Sequence, residues 1–258
     1  MKAVTSLKNP AVQAARALRD VRERACRGAF LLDGEHLVGE ALSACPERVQ
    51  AVFVDERRLE AYAALIALAP QAACYAVPAH VLAAISQVKT PQGIAAVCAM
   101  PPAPVPEALG ARLVLLENVQ DPGNVGTILR TLDAAGFDGC LLTPGCADPF
   151  GPKALRATMG SVFRVPLCYV QEAAEAVRML NGRGYATLAA ALDGEDFYRR
   201  GPMPQKLCVL IGNEGAGLSP QARDACTHRL SLPMRGGAES LNAAVAAAIL
   251  MYDLVNRP

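Results

Sequence analysis

The sequence predicts a two-part α/β protein: a small N-terminal α/β domain, a proline-rich linker, and a larger C-terminal domain built on a mostly parallel sheet. Three observations carry this. Residues 101–106 hold four prolines in six positions, Pro101, Pro102, Pro104 and Pro106, which remove amide donors and force an extended, semi-rigid path. Beyond that seam, short uninterrupted apolar runs alternate with helix-like stretches, the pattern of strands buried on both faces of a parallel sheet. With 258 residues, 52% of them hydrophobic, the chain can bury a core in each part, which excludes a disordered or fibrous protein. The expected boundaries are 1–100 for the first domain, 101–110 for the linker and 111–258 for the second domain.

In the first domain, helical spacing covers 11–24, 35–43, 62–69 and 79–85, and strand-like runs cover 30–33, 49–54 and 94–97. The N-terminal stretch is a basic arm: Lys2, Lys8, Arg16, Arg19, Arg22, Arg24 and Arg27 are opposed only by Asp20 and Glu23 in the first 27 residues, although the whole chain carries a net charge of +1. Such an arm is either a solvated helix face or a surface for phosphates, and charge alone leaves both open.

In the second domain, the apolar runs 113–116, 140–142, 165–170, 187–191, 207–211 and 229–232 read as strands. Stretches 125–135, 153–159, 173–180, 220–225 and 241–255 read as the helices between and after them. In open parallel sheets, ligands bind where loops leave the carboxyl ends of strands, and three such loops are unusual. The first, Glu117 to Gly126, has turn chemistry in Pro122 and Gly123 and a candidate helix cap in Asn124; neither role explains Arg130 in the apolar helix that follows. The second, Gly212-Asn213-Glu214-Gly215-Ala216-Gly217, follows a buried strand, and its glycines let backbone approach a ligand. The third, Leu232 to Asn242, leads into an alanine-rich helix that Ser240 could cap. That leaves Asn242 as a polar residue without a structural role.

Several classes are excluded. Neither glycine loop carries G-K-[ST] or G-x-G-x-x-G, which argues against Walker-type and nicotinamide-dinucleotide sites. The nine cysteines include no C-x-x-C pair, and His36, His80 and His228 lie far apart, so no disulfide framework or metal site is expected. No stretch reaches ~20 apolar residues and no cleavable leader precedes the basic arm, so the expectation is a cytoplasmic protein without a membrane span.

In order, spacing and wording, the three loops resemble the motifs of the SpoU (TrmH-like) family of RNA ribose methyltransferases, of the SPOUT class. The first motif is matched by Asn124-Val125-Gly126 with Arg130, the second by Gly212-Asn213-Glu214-Gly215 with Gly217, and the third by Pro233-Met234 with Ser240-Leu241-Asn242. Asp148 to Ser161 resembles the family's connecting segment. Upstream, Thr5 to Pro10, the stretch around Gly34-Glu35 and Thr90-Pro91-Gln92-Gly93 resemble the L30e-like RNA-binding domain that many members carry.

The resemblance implies a C-terminal trefoil knot, S-adenosylmethionine as cofactor, a homodimer, and methylation of a ribose 2′-hydroxyl. It favours ribosomal RNA over transfer RNA, with a non-catalytic RNA-binding protein as the remaining alternative. Carried over residue by residue, it implies a cofactor pocket including Gly212, Leu232, Met234 and Leu241. The implied catalytic set is Arg130, Asn124, Glu214, Ser240 and Asn242, and the basic arm (Lys8, Arg16, Arg19, Arg22 and Arg24) is expected to contact RNA. The family's proposed base corresponds to Arg130. A guanidinium with a pKa above about 12 does not simply accept a proton, so two roles stay open: transient deprotonation, or a cation that stabilises the developing alkoxide. Glu214 either holds the loops together or pairs with Arg130.

Overall fold

The computed structural model describes residues 1–257, the side chain of Glu107 excepted. The chain divides into two compact units, one of residues 1–102 with 150–164, the other of 103–149 with 165 onward.

The first unit runs β1 (Lys2–Ala3), α1 (Pro10–Ala17), α2 (Val21–Arg27), β2 (Ala29–Asp33), α3 (Glu35–Ala44), β3 (Val49–Asp55), α4 (Leu59–Ile66), β4 (Ala73–Val77), α5 (Ala79–Ile85) and β5 (Ile94–Ala99). Its five-stranded sheet has the order β1-β4-β3-β5-β2, with β5 antiparallel to both β2 and β3. Val12, Leu18, Phe53, Val81, Leu82 and Ile85 form part of its core. The segment 150–164, inside the stretch expected to belong to the second domain, clusters with this unit: Phe150 sets its ring 4.7 Å from that of Phe30, and Arg164 pairs with Glu40 at 2.8 Å.

The expected single helix over 11–24 is two helices. Asp20 breaks it by capping α2, its carboxylate accepting from the amides of Arg22 (2.7 Å) and Glu23 (3.3 Å). Arg24 seals the break. It is only 5% exposed, and its Nη1 donates to the carbonyls of Leu18 (2.9 Å) and Arg19 (3.0 Å) at the end of α1. The expectation that Arg24 contacts RNA is therefore corrected: it is a folding residue holding helix-terminal carbonyls. Arg19 is exposed, but its guanidinium reaches the carbonyls of Ile85 and Ser86 at the end of α5. Lys8, Arg16 and Arg22 stand exposed. The strand β4 was not foreseen, because two alanines give it little intrinsic preference; its parallel register against β3, from Ala51↔Ala73 to Asp55↔Val77, recruits it.

The second unit runs β6 (Arg112–Leu116), α6 (Pro122–Ala135), β7 (Gly139–Leu142), β8 (Leu167–Tyr169), α8 (Ala173–Gly182), β9 (Ala186–Asp196), β10 (Leu207–Ile211), α9 (Pro220–Ala225), β11 (His228–Ser231) and α10 (Ala243–Asn256), with α7 (Pro152–Thr158) in the first unit between β7 and β8. All neighbours in its six-stranded sheet, ordered β11-β9-β10-β6-β7-β8, are parallel. The central strands are buried along their length, as continuous apolar runs require. Helix α8 buries Ala173, Ala176, Val177 and Leu180 in a core with Leu113, Leu115 and Leu210, and α10 packs on α6 and β10. Among the described residues no helix is long and apolar enough to cross a membrane.

Candidate active site

Parallel register places the carboxyl ends of β6 and β10 side by side, Leu116 opposite Ile211, so the loops that follow them must meet. They are joined at several points. Glu117 accepts from the amide (2.7 Å) and hydroxyl (2.6 Å) of Ser219, the cap of α9. Asn213 donates to the carbonyl of Asn118 (2.9 Å), and its side-chain oxygen takes the amides of Gly215 and Ala216. Asn118 sits at φ 54°, a conformation asparagine tolerates better than most residues. The loop after β10 then closes on itself through paired backbone bonds between Asn213 and Gly217. Gly212 permits that closure. A Cβ there would lie 2.3 Å from backbone atoms of Gly217 and Leu218.

Glu214 is the hub of a relay linking all three motif loops. Its carboxylate accepts from the amides of Gln120 and Asp121, both at 3.1 Å, and from Nδ2 of Asn124 at 2.9 Å. Asn124 in turn accepts from Nδ2 of Asn242 at 2.9 Å. Burial alone would raise the Glu214 carboxyl, but the hydrogen bonds from Asn124 and from loop amides outweigh it and hold the group below its ordinary value.

Two helix caps differ from expectation. Asp121, not Asn124, caps α6, its Oδ1 taking the amides of Gly123 (2.7 Å) and Asn124 (3.0 Å). Asn242, not Ser240, caps α10 through Oδ1 and the amides of Ala244 (2.9 Å) and Val245 (3.3 Å). In both cases the capping role falls to the residue whose short side chain lies just ahead of the first helical turn. Asn124 is thereby left to bridge Glu214 and Asn242, while Asn242 serves cap and relay together.

Beside the relay, a cavity of about 470 Å³ opens at the carboxyl end of β10 and along residues 190–193 of β9, in front of α10. Gly212, Leu232, Met234 and Leu241 all line it, as do Glu214 and Ser240. Asn124 and Asn242 are not among the lining residues; Asn124 donates to Glu214, which is, and Asn242 adjoins Leu241 and Ala243, which also line it. Arg130 stands exposed on α6, outside the cavity lining, and among the described residues no side chain pairs with it; of the two partners considered for Glu214, the structure brings it the loops. Sequence reading missed Asp193 and Arg223, which also line the cavity; nothing in their local sequence marks them, since strand order brings them together. All nine cysteines are free thiols, and no group of three metal-ligating side chains is gathered among the described residues.

An all-parallel sheet with a glycine-cradled, largely apolar cavity at its strand ends, flanked by a polar relay, defines an α/β protein built to hold a compact organic ligand next to reactive side chains. The chain belongs to the SpoU rRNA Methylase family, whose sequence profile matches residues 111–252, and residues 9–96 match the MRM3-like substrate binding domain. It is 38% identical to the 23S rRNA (guanosine(2553)-2′-O)-methyltransferase RlmP of Bacillus subtilis, an alignment covering 98% of this chain and 99% of that one. Its fold superimposes on the AdoMet-bound rRNA methyltransferase of Sinorhizobium meliloti with a TM-score of 0.86 at 31% identity, over 99% and 97% of the two chains. On the AdoMet complex of the SpoU methyltransferase AviRb from Streptomyces viridochromogenes the TM-score is 0.83 at 29% identity, over 96% and 98%.

Proposed function

We propose that this protein transfers a methyl group from S-adenosylmethionine to a ribose 2′-hydroxyl of 23S ribosomal RNA, in the cytoplasm and as a homodimer. The observation that carries the reading is the relay Asn242–Asn124–Glu214 tying the three motif loops beside the cavity. The cavity suits the cofactor. Its volume of about 470 Å³ is that of a small-molecule site, Leu232, Met234 and Leu241 offer apolar walls, and the Gly212–Gly217 turn offers backbone groups to an adenine edge. When bound, S-adenosylmethionine supplies an electrophilic methyl on a sulfonium. The family's trefoil knot belongs to the same reading, as the arrangement that would bring the loops before α9 and α10 together.

The chain's own residues then divide the work. Asn124 and Asn242 each spend one N–H within the relay, and each carboxamide retains a second one for the target ribose. Ser240 lines the cavity and adds a hydroxyl at its edge. Arg130, exposed and without a side-chain partner among the described residues, acts as a cation that stabilises the charge growing on the ribose oxygen while the hydroxyl proton passes to solvent, the stronger of its two candidate roles because a guanidinium is a poor proton acceptor. Lys8, Arg16 and Arg22 contact phosphates without reading sequence. On α10, Val245 and Tyr252 lie two turns apart and are each 47% exposed; this apolar stripe is the surface a second copy would cover.

The test is transfer of labelled methyl to unmodified 23S ribosomal RNA and to unmodified transfer RNA in parallel, followed by nuclease digestion and mass spectrometry of the nucleosides. A 2′-O-methyl nucleoside from the ribosomal pool is expected. The same nucleoside from transfer RNA alone overturns the substrate, and a methylated base overturns the chemistry.

A further inference from the structure

The cavity is nearly devoid of charge. Of the side chains that line it, only Asp193, Glu214 and Arg223 are charged. Glu214 is committed to three donors, two amides of the loop after β6 and Asn124 in the first turn of α6. Asp193 and Arg223 remain, facing each other with 3.4 Å between Oδ2 and Nη1, longer than the roughly 2.7–2.9 Å of a tight charge-assisted bond. The guanidinium is under-used in a second way: its Nε is buried and has no hydrogen-bond partner.

Both residues stand on backbone that cannot drift. Arg223 lies on α9, whose start is held by Ser219 against Glu117 at the end of β6. Asp193 lies on β9 beside Gly194, where a Cβ would come within 2.6 Å of the backbone of Arg229 and Leu230 on β11. The pair is thus a preorganised dipole at the rim of an apolar pocket, with side chains 33% (Arg223) and 55% (Asp193) exposed until something covers them.

We infer that Asp193 and Arg223 form the subsite for the amino-acid end of the cofactor, Arg223 taking its carboxylate and Asp193 its ammonium. The inference rests on the cofactor reading above. The adenine and ribose are neutral and can be met by backbone groups and apolar walls. The amino-acid end is a zwitterion, and burying it without partners of both signs is costly. Arg223 is the one cation lining the cavity among the described residues. Exchanging a loose internal pair for two closer bonds to a zwitterion leaves the local charge balanced, and a planar guanidinium suits a carboxylate.

Calorimetric titration of the full chain with S-adenosylhomocysteine and with 5′-methylthioadenosine, which lacks the amino-acid end, tests this. The variants are Arg223→Gln and Asp193→Asn, with melting curves of each without ligand. The wild type is expected to prefer S-adenosylhomocysteine, and each variant to lose roughly 10- to 100-fold in affinity for it while holding 5′-methylthioadenosine as before. If both ligands weaken in parallel, the pair serves the adenosine end or the fold, and the inference is wrong. Unchanged affinity for S-adenosylhomocysteine in both variants is equally fatal. A wild type that binds neither ligand instead sinks the cofactor reading on which the inference rests. Should Arg223→Gln melt early, Asp193→Asn decides, since Asp193 is the more exposed partner and its substitution keeps size and shape.

Discussion

Replacing Asn124 by aspartate changes one donor group into a charge and reverses the sign of the relay. In the wild type, Nδ2 of Asn124 lies 2.9 Å from the Glu214 carboxylate while Oδ1 accepts from Asn242. Asn124→Asp keeps the second bond and turns the first into a contact between two carboxylates. At 2.9 Å, two unit charges repel by about 1.4 kcal/mol in bulk water and by about 6 kcal/mol at an effective dielectric constant near 20. Glu214 is exposed and Asn124 half-buried, so screening places the repulsion near the lower figure, roughly 1.5–2 kcal/mol. The lost bond to a charged acceptor adds about 1.5 kcal/mol. Asn124→Asp should therefore cost about 3 kcal/mol at pH 7.5, and Asn124→Ala, which loses bonds without adding charge, about half that.

The pH dependence separates the two variants further. In the wild type the Glu214 carboxyl is held below its ordinary value of 4.5, so its stabilisation is complete above that pH and is lost as pH falls through the lower folded value. In Asn124→Asp, two close carboxylates share a proton more readily folded than unfolded. The raised value makes the variant relatively more stable below pH 4.5 and progressively less so as pH rises. Urea unfolding followed by circular dichroism at pH 7.5 and pH 4.5 measures both effects. If Asn124→Asp and Asn124→Ala are equally stable at pH 7.5 and respond alike to acid, Asn124 does not face Glu214 and the relay is misdrawn.

The other predictions concern separate parts of the molecule. Arg130→Ala should abolish methyl transfer and leave S-adenosylhomocysteine affinity nearly intact by calorimetry; lost affinity would make Arg130 a binding residue. Gly212→Ala drives a Cβ to 2.3 Å from backbone that cannot retreat, so thermal melts should register a loss of about 1–3 kcal/mol along with loss of cofactor binding. Reversing charge at Lys8, Arg16 and Arg22 should weaken RNA binding and flatten its salt dependence in filter-binding assays, whereas Arg24→Ala should lower the melting temperature, because it strips buried carbonyls of their donor. Val245→Asp with Tyr252→Asp should convert a dimer to a monomer by sedimentation; an unchanged mass would remove α10 as the interface.

Much of this molecule is legible in its order of residues. The strands β6 and β10, the helices α8 and α9, and the proline seam follow from apolar runs, helical spacing and turn chemistry, which are properties of neighbours in the chain. The motif loops could be located for the same reason, since a loop at the end of a buried parallel strand sits where ligands bind. Gly212, Leu232, Met234 and Leu241 could be named only through the resemblance of those loops to the SpoU motifs, and they do line one cavity.

Other features depend on which strands lie side by side. Asp20 split the first helix, and Arg24 left the basic face for the interior, because helix-terminal carbonyls needed a donor. Asp121 and Asn242 took the capping roles because their oxygens reach the first-turn amides. The bonds from Asn124 to Glu214 and from Asn242 to Asn124 join residues 90 and 118 positions apart, and the pairing of Asp193 with Arg223 requires β9 and α9 to meet at one rim. Periodicity carries information over a few turns or a strand's length. A hydrogen bond between distant loops exists only once the order β11-β9-β10-β6-β7-β8 has placed their strands within reach, so the chemistry-bearing contacts belong to the tertiary structure, while the residues able to make them were present in the sequence.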